Sequence, residues 1–84
     1  MTATQFAGKI DLLNTRFAFS VTSWFRSTNR NKLVGGHANS LHLVGLAVDI
    51  IVDNPAQAQE LTSFAHQLGL LAIVEKDHVH VQAT

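Results

Sequence analysis

The feature that most constrains the fold is the run Leu46-Ala47-Val48-Asp49-Ile50-Ile51-Val52, six apolar residues interrupted by one carboxylate. β-Branched residues at this density favour an extended strand. Alternation along it puts Ala47, Asp49 and Ile51 on one face, and Leu46, Val48, Ile50 and Val52 on the other. A nearly continuous apolar run predicts a strand buried on both faces. Asp49 is then an anomaly, because a carboxylate inside a buried strand is costly unless it is paired or bound to a metal. Asn54-Pro55 follows and opens a helix: Asn54 is placed as its cap, Pro55 suits the first position and Gln57 is spaced for a capping box.

The other elements follow from periodicity. Phe6, Ile10, Leu13 and Phe17 recur at helical spacing and predict a helix over Thr4 to Phe17, capped by Thr2 or Thr4. Phe19 to Phe25 reads as a strand, with Val21, Trp24 and Phe25 favouring extended backbone. Thr28 to Leu33 reads as a short helix broken by Gly35-Gly36. Leu61, Phe64, Ala65 and Leu68 form the apolar stripe of the helix that begins at Pro55, and Gly69 ends it. Leu70 to Val74 and His78 to Gln82 read as two closing strands. This order predicts an α+β domain: a small, mostly antiparallel sheet with flanking helices.

Eighty-four residues with 46% hydrophobic content suit one globular domain, residues 1–84, around a single core. So small a scaffold would gain from a bound metal, because binding to the folded site adds to folding stability. Six basic and six acidic residues balance, which argues against a nucleic-acid partner. The absence of cysteine excludes disulfides, thiolate metal sites and cysteine nucleophiles. The first residues lack a basic stretch followed by an apolar run, so no secretory signal is expected. The longest apolar stretch, Leu41 to Val52, carries His42 and Asp49 and is too short to span a bilayer.

Chemistry concentrates in two segments. His42 lies just before the Asp49 strand, and Gly45 permits the loop to bring it back towards Asp49. That pair alone is weak evidence, since a hydrogen-bonded structural Asp is the commoner case. Near the other end, Asp77-His78-Val79-His80 puts His78 and His80 on one face of a strand. Two such histidines make either a metal site or a solvated polar face. Beside Asp49 and His42, the shared explanation is a metal, because imidazole and carboxylate are the ligands of a catalytic zinc that keeps one position open.

These segments together resemble the zinc D-alanyl-D-alanine carboxypeptidases and the phage L-alanyl-D-glutamate endopeptidases, which share the Hedgehog/DD-peptidase fold (the M15-like peptidases). Ser40, His42, Gly45, Ala47 and Asp49 fill the first motif, Ser-x-His-x-x-Gly-x-Ala-x-Asp. Asp77 and His80 fill the second, an acidic residue three before a final His. Phe25-Arg26-Ser27 and Gly35-Gly36 match an upstream element, so the resemblance runs from about Val21 to Val81. It implies one zinc per chain, held by His42, Asp49 and His80, with Asp77 as general base. His78 would donate a hydrogen bond to the tetrahedral oxyanion. Arg26 would hold a substrate carboxylate or carbonyl, and Ser40 would bind substrate or orient its loop.

The implied activity is hydrolysis of a peptide bond in the peptidoglycan stem, by an endolysin-like endopeptidase or a D,D-carboxypeptidase. The partner would be the stem peptide, with no nucleic acid and no membrane insertion. Such an enzyme would be made in the cytoplasm and act on the cell wall after release, as a phage-encoded lysis enzyme does. The alternative is a non-catalytic zinc-binding module of the same fold that recognises cell-wall peptides. A metal-free domain with a chance His cluster is a third reading.

In an ideal strand Asp77 points away from the face bearing His80, so its role as base requires it to sit in the preceding turn or at a bulge. Glu75 is the alternative base, or else a solvated charge beside Lys76. His66 falls off the apolar stripe and reads as a surface residue. His37 reads as solvated, with substrate contact as its alternative. Asp53 reads as a strand terminator. Trp24, where the family commonly has Gly, reads as a core or cleft residue.

Overall fold

A computed structural model of the protein describes residues 1–24 and 44–84. Helix α1 spans Ala3–Arg16 and strand β1 Phe19–Ser23. Strand β2 spans Ala47–Val52, a 3-10 turn Pro55–Gln57 and helix α2 Ala58–Gln67. Strands β3 (Leu70–Val74) and β4 (Val79–Ala83) close the chain. The sheet order is β1-β2-β4-β3, and each neighbouring pair is antiparallel. The α+β class and the antiparallel sheet read from the sequence are both observed. The expected helix over Thr28 to Leu33 and the Gly35-Gly36 break lie outside the described residues.

Thr2, one of the two expected caps, opens α1 with a reciprocal capping box. Its hydroxyl accepts from the Gln5 backbone N–H at 3.1 Å, and Gln5 Oε1 accepts from the Thr2 N–H at 2.8 Å. The expected stripe of Phe6, Ile10, Leu13 and Phe17 is buried. It meets Leu61 and Ala65 of α2 and the alternating residues Val48, Ile50, Val52, Val79, Val81, Leu70 and Ala72 of the sheet. Arg16 stacks its guanidinium over the Phe64 ring, 4.4 Å from the centroid. Lys9 Nζ donates to the Leu68 carbonyl at 2.6 Å, tying α1 to the end of α2. Gly69 then adopts φ +79°, a left-handed conformation that glycine takes without Cβ strain and that turns the chain into β3.

Three local expectations differ from the structure. The two faces of the strand at Ala47–Val52 are not equally covered: Val48 and Ile50 are fully buried on one, while on the other Ala47 is fully buried and Ile51 is 48% exposed. Among the described residues, α1 and α2 both pack against the same side of the antiparallel sheet. The strand expected over Phe19 to Phe25 ends at Ser23, where its register against β2 shifts after Val21. Trp24 leaves the ladder, packs edge-on against Phe6 (centroids 5.9 Å apart) and donates its indole N–H to the Gly45 carbonyl at 3.2 Å. Finally, the expected capping box at Gln57 does not form. Asn54 Oδ1 instead accepts from Ala56 N–H at 3.1 Å, and the Gln57 N–H donates to the Asn54 carbonyl. This tightens the first turn into a 3-10 turn before α2 starts.

The face of the sheet away from the helices carries the polar residues. Register pairs Asp49 of β2 with His80 of β4, and His80 with Ile73 of β3; beside them, Gln82 pairs with Ala47 and Leu71. Among the described residues no helix is long and apolar enough to cross a membrane.

Candidate metal centre

Asp49 and His80 come together because β2 and β4 are the two inner strands and their register sets these residues directly opposite. His80 Nδ1 lies 3.0 Å from Asp49 Oδ1. Their side chains are 19% and 17% exposed, so the pair is largely desolvated yet reachable from the open face. The other ring nitrogen of His80, Nε2, lies 2.9 Å from Gln82 Oε1. Thr22 Oγ1 donates to the Asp49 carbonyl at 3.2 Å, pinning β1 to β2 beside the carboxylate.

The β3–β4 hairpin supplies the remaining groups. The Glu75 N–H donates to the His78 carbonyl at 2.8 Å, closing the loop that holds Lys76 and Asp77 before β4. Asp77 therefore sits in the turn, as a role as base requires. Its carboxylate is 85% exposed and accepts a 2.6 Å hydrogen bond from His78 Nδ1. His78 turns its Nε2 towards Asp49 Oδ1, 3.7 Å away, with Glu75 Oε1 at 4.0 Å. Both histidines thus lie on the Asp49 side of the sheet, as alternation predicts.

The Asp77–His78 bond sets the electrostatics of this corner. It raises the His78 pKa above the ordinary imidazole value; partial burial opposes the rise, and the charges of Asp49, Glu75 and Asp77 add to it. The same bond draws the Asp77 carboxyl below the usual carboxylate range. Because Nδ1 donates to Asp77, Nε2 donates as well once the ring carries its second proton.

The donor set at Asp49 and His80 suits a metal. A carboxylate oxygen only accepts, and the carboxamide oxygen of Gln82 also only accepts. When Nε2 holds the proton directed at Gln82, Nδ1 and Asp49 Oδ1 turn two lone pairs on each other at 3.0 Å. That arrangement needs a positive charge between them, either a proton or a metal ion. Two ligands of a tetrahedral zinc stand roughly 3.3 Å apart, given metal–ligand bonds of about 2.0–2.1 Å, so the observed spacing accepts zinc with a small adjustment. Among the described residues no three His, Asp or Glu side chains are arranged to hold a metal together. His42, the third ligand expected from the motif, lies outside the described residues, as do Arg26 and Ser40.

Of the secondary candidates, His66 and Asp53 are exposed, and Glu75 borders His78. His37 lies outside the described residues. Gln82 was not singled out by the motif, although alternation from His80 puts it on the same face. A cavity of about 250 Å³ opens beside His78, between the 75–78 turn and the start of α2, with Ile51, Pro55, Ala58 and Val74 among its walls.

A family model described as Peptidase M15 matches residues 5–82. No curated protein and no solved structure gives a significant match.

Proposed function

The chain belongs to the peptidase M15 family, and we propose that it is a zinc metallopeptidase that hydrolyses a peptide bond of the peptidoglycan stem. The observation that carries the zinc reading is the Asp49–His80 pair, 3.0 Å apart on the open face of the sheet with two acceptor groups flanking one imidazole. His42, Asp49 and His80 would hold the ion. When bound, zinc lowers the pKa of water to about 7 and polarises a carbonyl as a Lewis acid.

The chain's own groups supply the rest. Asp77, in the turn before β4, accepts the proton released by the attacking water, and its 2.6 Å bond to His78 joins the two residues into one proton-holding unit. His78 directs Nε2 to the same side as Asp49 and donates to the oxygen on which charge develops. Arg26 would offer a planar fork for a substrate carboxylate or carbonyl, and Ser40 would bind substrate or orient its loop. The stem-peptide substrate rests on the resemblance of the two motifs, and we favour an endopeptidase over a carboxypeptidase. A second reading, a zinc-binding module that holds cell-wall peptides without cutting them, draws support from the outward position of Asp77.

Digestion of purified peptidoglycan with the zinc-loaded chain, across pH ~6 to ~9 around the pKa of a zinc-bound water, tests the proposal by mass analysis of the fragments. Stem-peptide fragments are expected, and their masses identify the bond. Peptide binding with no fragments at any pH would leave the second reading in place of the first.

A further inference from the structure

We propose that Gln82 is a positioning residue that sets which nitrogen of His80 faces the metal. The carboxamide oxygen of Gln82 lies 2.9 Å from His80 Nε2, while Nδ1 lies 3.0 Å from Asp49 Oδ1. An amide oxygen accepts and does not donate, so with Oε1 turned to the ring the contact places a proton on Nε2. In a neutral imidazole that assignment leaves the lone pair on Nδ1, the nitrogen beside Asp49. With an ion on the Nδ1 side, Gln82 thereby holds this tautomer and ring orientation; in the metal-free chain the Asp49 carboxylate competes for a proton on Nδ1.

The backbone makes the placement of Gln82 firm. Gln82 sits on β4, an inner strand, with Ala47 opposite on β2 and Leu71 opposite on β3. Neither neighbour carries a side-chain donor or acceptor that could draw the carboxamide away. Ala47 is fully buried, and its methyl leaves the Gln82 side chain room to lie back along the strand. His80 stands two residues earlier on the same face, the spacing at which an extended side chain reaches its neighbour. A ligating histidine generally donates its other N–H to such a partner, which fixes the ring and raises its basicity. Gln82 fills that place with a neutral acceptor.

The inference rests on the zinc reading of the site, and its test separates the two. The Gln82→Leu variant keeps the chain's shape beside Leu71 but has no acceptor for Nε2–H. Gln82→Glu restores an acceptor at the same reach. Zinc affinity is measured by competition with a chromophoric chelator, and the His80 ring nitrogens are followed by 15N NMR in the zinc-loaded protein. Wild type is expected to show zinc on Nδ1 and a slowly exchanging proton on Nε2. Gln82→Leu is expected to weaken zinc binding by about 10- to 100-fold, with faster exchange of that proton and unchanged circular dichroism. Gln82→Glu is expected to bring back both the affinity and the slow exchange.

Wild-type affinity in Gln82→Leu, or zinc on Nε2 of His80 in the wild type, would overturn the assignment while leaving the zinc site in place. If Gln82→Leu loses zinc together with its circular dichroism and Gln82→Glu fails to recover affinity despite folding, the residue is structural and the assignment falls. A wild-type chain that takes up no zinc would overturn the metallopeptidase reading, and this inference with it.

Discussion

Zinc should stabilise this fold by a sizeable fraction of the stability it starts from. A chain of 84 residues, at 0.05–0.15 kcal/mol per residue, has a net folding free energy of about 4–13 kcal/mol. An ion that binds only the folded state adds about 2.7 kcal/mol at 100 times its Kd and about 4.1 kcal/mol at 1,000 times. Unfolding entropy of about 2.1 cal/mol/K per residue makes each kcal/mol worth roughly 6 °C in a chain of this length. Buffered zinc in that range should therefore raise Tm by roughly 15–23 °C, and a chelator should reverse the rise. The location of the site supports so direct a coupling. Asp49 and His80 lie on the two inner strands, so an ion between them cross-links the centre of the sheet. His80→Ala removes one expected ligand and should reduce the rise to a few degrees. Calorimetry or thermal circular dichroism reads the shift. No rise in wild type, or an equal rise in His80→Ala, would refute the assignment of this pair as zinc ligands.

Other outcomes follow from the same geometry. Asp77→Ala should lower turnover about 10²- to 10⁴-fold while zinc stoichiometry is unchanged, as read by fragment release and metal analysis. Leu61→Ala, at a fully buried position where α2 meets the core, should destabilise the fold by about 2.7–5 kcal/mol in denaturant titration, with zinc stoichiometry unaltered in the folded fraction. In the metal-free chain, NMR should show His78 titrating above about 6.5 and Asp77 below about 3.9, the ordinary values, and Asp77→Asn should return His78 towards its own. The sign follows from linkage. The His78 contribution is full below its unfolded pKa and fades as pH rises through the raised folded value. The Asp77 contribution is full above its unfolded pKa and fades as pH falls through the lowered one. One hydrogen bond underlies both shifts, so its stabilising effect is greatest between these two ordinary values.

Periodicity made most of the described fold legible. Phe6, Ile10, Leu13 and Phe17 announced α1, and Leu61 and Ala65 announced the buried stripe of α2. Position along a strand told that His78 and His80 share a face, while Asp49 joined them only through a shared metal as explanation; the register of β2 against β4 is what sets Asp49 opposite His80. What periodicity could not tell was which faces the helices cover. The run around Asp49 is apolar enough for burial on both sides, and only the packing of α1 and α2 on one side leaves Ile51 exposed. Hydrogen-bond partners were hidden for a related reason. The motif marks Asp77 three before His80, but the loop closed between Glu75 and His78 decides that its carboxylate meets His78. Gln82 lies within reach of the same alternation, but a lone Gln on a strand carries no chemical signal until its neighbour is known to be a ligand.

The two-residue period of a strand also explains how so short a chain accommodates both a core and a site. Val79, Val81 and Ala83 of β4 point into the packed side, while His80 and Gln82, between them in sequence, point to the open side. A helix divides its faces too, with a period of 3.6 residues rather than two. On a strand, each alternating residue is already committed to one of them. Substitutions on the two sides should then separate cleanly: those at Val79 or Val81 act on stability first, and those at His80 or Gln82 act on metal affinity with little loss of fold. If His80→Ala unfolded the metal-free chain as thoroughly as Leu61→Ala, the open face would belong to the core and this division would fail.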